Sequence, residues 1–83
     1  MPTVFSEGGF RFFFYSKDIG ERPHVHARNG DGEVKIWLDS FEAKRIRGAM
    51  KGEDVAGAVT IARRRRDEIV GKWEEMVRRG GLT

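Results

Sequence analysis

The sequence predicts an α+β fold: a small antiparallel sheet of four to five strands in a meander, with one long C-terminal helix packed on its apolar face. Three observations carry this. Asn29-Gly30-Asp31-Gly32 is a strong hairpin turn between two short segments suited to strands. Aromatic and β-branched residues crowd the segments before residue 47. Beyond residue 52 the apolar residues recur at spacings of 3, 4 and 7, as on one stripe of a helix.

Thr3-Val4-Phe5-Ser6-Glu7 reads as the first strand, and Gly8-Gly9 as a two-residue connection to the second, Phe10 to Tyr15. Alternation puts Phe10, Phe12 and Phe14 on one face and Arg11, Phe13 and Tyr15 on the other. The first face is the core candidate, because the second carries a charge and a hydroxyl. Ser16 to Arg22 reads as a polar loop, and Pro23, which cannot donate a ladder hydrogen bond, suits the start of a strand. His24 to Arg28 is the third strand and Glu33 to Leu38 the fourth. The turn between them sets Arg28 opposite Glu33, Ala27 opposite Val34, His26 opposite Lys35, Val25 opposite Ile36 and His24 opposite Trp37. Val25, Ala27, Val34, Ile36 and Leu38 then form the core face, and a slip of one residue would bury charges. Phe41 to Arg47 has no clean period and reads as a fifth, edge strand whose charges resist edge pairing. After a linker from Gly48 to Gly52, Glu53 or Asp54 opens the helix where its dipole favours acids. The helix runs over about 53–79 with Val55, Val59, Ala62, Ile69, Trp73 and Met76 on its stripe, and ends at Gly80-Gly81 after Arg78-Arg79. Gly57 and Gly71 weaken it by up to about 1 kcal/mol each, and two segments broken near the arginines are the alternative layout.

Eighty-three residues predict one domain over 1–83, with strands in 3–47. A chain of this length buries only about 60% of its unfolded surface. It has no cysteine and so no disulfide staples, and an oligomer or a partner would add stability. The lack of cysteine fits a reducing cytoplasm. Met1-Pro2-Thr3-Val4-Phe5 lacks the basic and apolar regions of a signal peptide, and no apolar run approaches the roughly 20 residues of a membrane span. The expected location is cytoplasmic, with no membrane partner. Residues 1–40 hold five Lys/Arg and six Asp/Glu, a net −1, whereas residues 41–83 hold eleven and seven, a net +4. The overall +3 is compatible with a polyanionic partner without requiring one.

Pro23-His24-Val25-His26 holds the only two histidines, which alternation places on one face of the sheet. They could ligate a metal, since imidazole suits zinc, copper or nickel, with Asp18, Glu21, Asp31 or Glu33 as further ligands. The register sets Lys35 opposite His26, and a cation there opposes another, so no metal is favoured and no cofactor is predicted. His24 and His26 could instead act as general acid and base on RNA beside Lys35 and Arg28, titrating near neutral pH. The third reading is a binding face of Arg11, Phe13, Tyr15, His24, His26, Arg28, Lys35 and Trp37, all pointing outward. Aromatics mixed with cations suit single-stranded RNA, and the same residue types are enriched at protein interfaces. With no ligand, His24 would stack on Trp37. Arg63-Arg64-Arg65-Arg66 spans all sides of a helix, so it reads as a solvated face before it reads as a phosphate patch. Arg66 falls along the apolar stripe and must snorkel or pair. Trp73 and Met76 at helical spacing read as core.

Gly8-Gly9-Phe10-Arg11-Phe12-Phe13-Phe14-Tyr15-Ser16, Pro23-His24-Val25-His26 and Asp31-Gly32-Glu33-Val34-Lys35-Ile36-Trp37-Leu38 resemble a family of small bacterial proteins described as a domain of unknown function. Its marks are a Met-Pro-Thr start, a Pro-His-Val/Phe-His strand and a closing helix with a tryptophan near its end, which Trp73 matches. Members often carry His-Arg-Glu before that tryptophan, where this chain has Arg65-Arg66-Asp67. Family genes often neighbour another small domain. The resemblance therefore implies a toxin–antitoxin-like component, with the adjacent-gene product as its protein partner.

The expected function is partner binding through the sheet face around the His-Val-His strand, with RNA or DNA as a further ligand class and a homo-oligomer as a further assembly. The alternatives are a metal-independent ribonuclease using His24 and His26, and a metal-binding module.

Overall fold

The Gly30-Asp31 turn fixes the centre of the sheet. Gly30 has φ +60°, while Asp31 keeps a negative φ, as a two-residue hairpin with glycine at its first central position requires. A computed structural model describes residues 3–80. Met1 and Pro2 of the Met-Pro-Thr start, and Gly81 of the expected helix end, lie outside the described residues.

Five strands follow in chain order: β1 (Thr3–Glu7), β2 (Phe10–Phe13), β3 (His24–Asn29), β4 (Gly32–Trp37) and β5 (Ala43–Arg47). They form one antiparallel meander in the order β1-β2-β3-β4-β5. The pairs Arg28–Glu33, Ala27–Val34, His26–Lys35, Val25–Ile36 and His24–Trp37 all occur, and Asn29–Gly32 closes the hairpin. β2 joins in phase: Phe12 faces Ala27 and Phe13 faces His26.

One face is the core. Phe10, Phe12, Phe14, Val25, Ala27, Val34, Ile36 and Leu38 are buried together with Ala58, Ala62, Ile69, Trp73 and Met76 from the helical half. Phe5 stacks on Phe12 at 4.7 Å, and Trp73 meets Phe14 edge-on at 5.4 Å.

The single long helix is corrected to two: α1 (Gly52–Arg64) and α2 (Arg66–Arg78). Ala58, Ala62, Arg65, Ile69, Trp73 and Met76 follow one heptad stripe, so an unbroken helix would press Arg65 into the core. The chain instead breaks at Arg65, with φ −107° and ψ 27°. This frees its guanidinium to pair with Glu7 at 3.0 Å and Glu68 at 2.7 Å and to lie 3.5 Å over the Phe5 ring. The arginine that must escape the stripe is thus Arg65, not Arg66.

The fifth strand also starts later than the sequence suggests. Phe41 has φ +61°, a costly region for a bulky side chain, and its N–H donates to the Trp37 carbonyl at 2.8 Å in a turn. From Ala43 to Arg47 every residue is exposed. The pairing shifts register between Glu33–Arg47 and Val34–Arg45, leaving Ile46 as the extra residue of a bulge. Gly48, at φ +63°, lets the chain pass so close to the Asp31 carbonyl that a Cβ would collide with it. No helix among the described residues is long and apolar enough to cross a membrane.

Two isoleucines test this layout. Ile69→Ala, at a fully buried position, is expected to cost about 2–5 kcal/mol. Ile46→Ala, 43% exposed, is expected to change stability by no more than about 0.5 kcal/mol. Urea unfolding of both variants measures the contrast.

Candidate metal centre

β3 presents His24 and His26 on the face opposite the core, with ring centroids 4.9 Å apart. The β2–β3 connection then folds back over that face. A short 3-10 turn at Ser16–Asp18 delivers Asp18, which is only 2% exposed. Its Oδ2 accepts the Tyr15 N–H at 2.8 Å and lies 3.2 Å from both His24 Nε2 and His26 Nε2. Three potential ligand groups, from Asp18, His24 and His26, thus converge with their donor atoms all within 4.8 Å of one another.

The surroundings orient each imidazole. His24 Nδ1 lies 2.8 Å from the Arg22 carbonyl, which can only accept, so Nδ1 carries a proton and the neutral ring offers its lone pair at Nε2. The chain on either side of that carbonyl is anchored. Arg22 grips Asp39 at 2.7 Å, an ion pair that keeps the Asp39 carboxyl below its usual range, and the Leu38 N–H donates to the Pro23 carbonyl at 3.0 Å. His26 stands between two carboxylates, with Nδ1 3.3 Å from Glu33 Oε2 and Nε2 facing Asp18. Glu33, 1% exposed, accepts from the Tyr15 hydroxyl at 3.0 Å and Arg28 Nη2 at 3.0 Å. Burial, then the Glu33 hydrogen bond, raises the Tyr15 pKa. Phe13 stacks on His26 at 5.4 Å, Tyr15 meets it edge-on at 4.6 Å, and Trp73 leans on His24 at 5.3 Å.

Distance and direction disagree at the centre. The imidazole–carboxylate approaches are as short as ion pairs, yet His24 Nε2, His26 Nε2 and His26 Nδ1 are buried without an aligned hydrogen bond. Direction decides what a hydrogen bond is worth, so these atoms count as unpartnered. Burial lowers the His26 pKa first, with His24 and Lys35 adding to that and Asp18 and Glu33 opposing it, so the ring favours its neutral form.

The expected binding face is corrected in its exposure. Arg11, Phe13, Tyr15, His24, His26, Arg28, Lys35 and Trp37 do share one side of the sheet, but Phe13, His24 and His26 are buried. Arg11 and Arg28 lie over Phe13 at 4.6 and 5.8 Å, and Arg22 lies over Trp37 at 5.1 Å. Cations and the folded-back connection cover the aromatic rings that were expected to meet a partner. His24 packs on Trp73 and not on Trp37.

Of the four carboxylates considered as ligands, Asp18 reaches both histidines. Glu33 supports His26 from behind, and Glu21 turns to Lys35 at 3.6 Å. That pairing directs Lys35 Nζ toward Glu21, although the strand register sets Lys35 opposite His26. The Tyr15–Glu33 hydrogen bond was missed. Its one signal in the sequence was that both residues share a sheet face. The arginine run is engaged within the molecule: Arg64 and Arg65 pair with Glu7, Arg66 pairs with Asp67, and Arg63 lies 5.0 Å over Phe41.

The lowered His26 pKa gives chelator-treated protein a defined pH response. The unfolded chain takes up a proton at about pH 6.5 and the folded one only at lower pH, so His26 contributes stability that is present above 6.5 and lost as pH falls through the folded value. Urea midpoints measured downward from pH 7.5 are expected to fall in that window. His26→Gln should flatten the response there.

Neither a comparison with curated proteins nor one with solved structures gives a match. The family profile of a domain of unknown function (DUF4160) matches residues 9–74, which covers β2 through most of α2 and includes Asp18, His24, His26 and Glu33. The chain therefore belongs to the DUF4160 family.

Proposed function

We propose that the protein is a metal-binding domain in which Asp18, His24 and His26 hold one divalent first-row transition-metal ion, with zinc as the type case. The observation that supports this most is the convergence of two buried imidazole nitrogens on one buried carboxylate oxygen at 3.2 Å, with no aligned proton between them. Bonds of about 2.0–2.1 Å to a tetrahedral ion would set neighbouring donors about 3.3–3.4 Å apart. Two nitrogens and one oxygen suit zinc or another first-row ion better than calcium or magnesium. The outer contacts support the same reading: the Arg22 carbonyl fixes the His24 tautomer, and Glu33 faces His26 Nδ1, as second contacts around metal-bound histidines do.

This reading takes precedence over the ribonuclease. A general acid and base must both reach the substrate, and His24 is completely buried. A toxin–antitoxin-like role through a protein partner keeps one observation in its favour: β5 is an exposed edge strand carrying Ile46. The bulge and the basic residues of that strand weigh against edge pairing. Co-expression with the adjacent-gene product, followed by purification, would support this role if the two chains elute together and remove it if they separate.

Two measurements test the metal reading. After chelator treatment, dialysis against zinc is expected to load one equivalent per chain, read by elemental analysis. His24→Ala/His26→Ala and Asp18→Asn should load far less while keeping the far-ultraviolet circular dichroism of the parent. Undiminished loading in the double variant would sink the reading. Zinc at about 100 times its Kd should also stabilise the parent by about 2.7 kcal/mol, read as a higher Tm that the double variant does not show.

A further inference from the structure

The candidate centre does not lie sealed beneath the connection. A cleft of about 260 Å³ opens onto it, with His26, Asp18 and Glu33 among its lining residues. Lys17, Lys35 and Arg47 also line this cleft, each from a different part of the chain. Lys17 comes from the 3-10 turn, Lys35 from β4 and Arg47 from the end of β5. Among the described residues, Lys17 and Arg47 form no ion pair and Lys35 has one, at 3.6 Å with Glu21, while Lys17 and Lys35 lie over the Tyr15 and Trp37 rings at 5.5 and 5.8 Å.

The charge balance of this cleft depends on the ion. Three cations (Lys17, Lys35 and Arg47) stand against three carboxylates (Asp18, Glu21 and Glu33), so the lining alone is neutral. A divalent ion at Asp18, His24 and His26 turns that neutrality into a net charge of +2 in a partly enclosed site. Three protein ligands also leave a coordination position open, as in zinc sites that take a water or a substrate. A dianionic tetrahedral group matches both features, with one oxygen on the ion and the others toward ammonium and guanidinium donors.

We infer that the loaded centre binds a phosphate group in this cleft, with the ion and the side chains of Lys17, Lys35 and Arg47 as its recognition elements. This rests on the metal reading above. The shared chemistry is a phosphate dianion, whether free or the terminal phosphate of a nucleotide.

Cobalt(II) replaces zinc in the test, because its visible absorption reports changes in coordination. Protein loaded with one equivalent of cobalt is titrated with inorganic phosphate and, separately, with adenosine 5′-monophosphate. Saturable spectral changes are expected with at least one of the two. Tighter binding of the nucleotide would assign the source as a nucleotide, and equal binding would assign free phosphate. Lys17→Ala/Arg47→Ala removes only exposed side chains and should still load one equivalent of cobalt, yet bind the same probe at least about tenfold more weakly. Binding of equal strength to metal-free protein, read by equilibrium dialysis, or undiminished binding by the double variant, would overturn the inference and leave the metal reading standing. No spectral change with either probe on fully loaded protein would do the same. Failure of the parent to load cobalt or zinc would overturn both.

Discussion

Everything in this molecule depends on the register between β3 and β4. Because strand side chains alternate, the pairing of Val25 with Ile36 and of His26 with Lys35 decides in one step what is core and what is site. Val25, Ala27, Val34 and Ile36 are completely buried under the helices. His24, His26 and Glu33 are sent to the other side. A shift of one residue would turn the two imidazoles and the carboxylate toward the core around Ile69 and expose the apolar set. The glycine at position 30 and the close passage at Gly48 hold that register from the turn end.

A sheet with helices on one side leaves its other side to be covered by something else. Here the connection between β2 and β3 does it, using short-range contacts: the Asp18 N–H donates to the Tyr15 carbonyl at 3.0 Å, while the Asp18 carboxylate accepts the Tyr15 N–H. Tyr15 thereby becomes a hinge point with two roles, since its hydroxyl fixes Glu33 and its ring packs on His26. The remaining aromatic surface is covered by arginines placed over Phe13 and Trp37. Both devices use polar residues to bury rings, so much of the second face is covered without a second apolar layer.

That also explains which parts of the structure were legible in the sequence. The meander, the β3–β4 register and the apolar stripe rest on period and turn chemistry, which are local. The separation of α1 from α2 was only half legible: the arginine run marked the place, but that Arg65 and not Arg66 falls on the heptad follows from the frame set by Ala58 and Ala62. The closed second face was not legible, because it depends on where a ten-residue connection returns, and alternation gives only the side on which Phe13, His24 and His26 lie. For the same reason Asp18 stood among four carboxylates without distinction. No spacing relates residue 18 to residues 24 and 26. Only the folded connection does, and it also brings Glu21 to the Lys35 ammonium, which stands opposite His26 in register and adds to the lowering of the His26 pKa.

The energetic cost of the centre bears on what it is for. Asp18, His24, His26 and Glu33 are all nearly inaccessible, in a chain with no disulfide to spare stability. Glu33 is offset by Tyr15 and Arg28. The imidazoles are not: of their four ring nitrogens, one has an aligned hydrogen bond. A buried polar group without a partner costs about 1–3 kcal/mol, and the whole stability of a domain is only about 5–15 kcal/mol. Apolar residues of similar volume would remove that cost, as replacement of buried charged clusters often does. A cation between His24 Nε2, His26 Nε2 and Asp18 Oδ2, as proposed above, would remove most of it differently. It would take up both lone pairs and the carboxylate charge and leave the single proton of His26 on Nδ1, the nitrogen that faces Glu33. One ion would thus partner both Nε2 atoms together, whereas a single proton shared between them satisfies at most one imidazole–carboxylate pair.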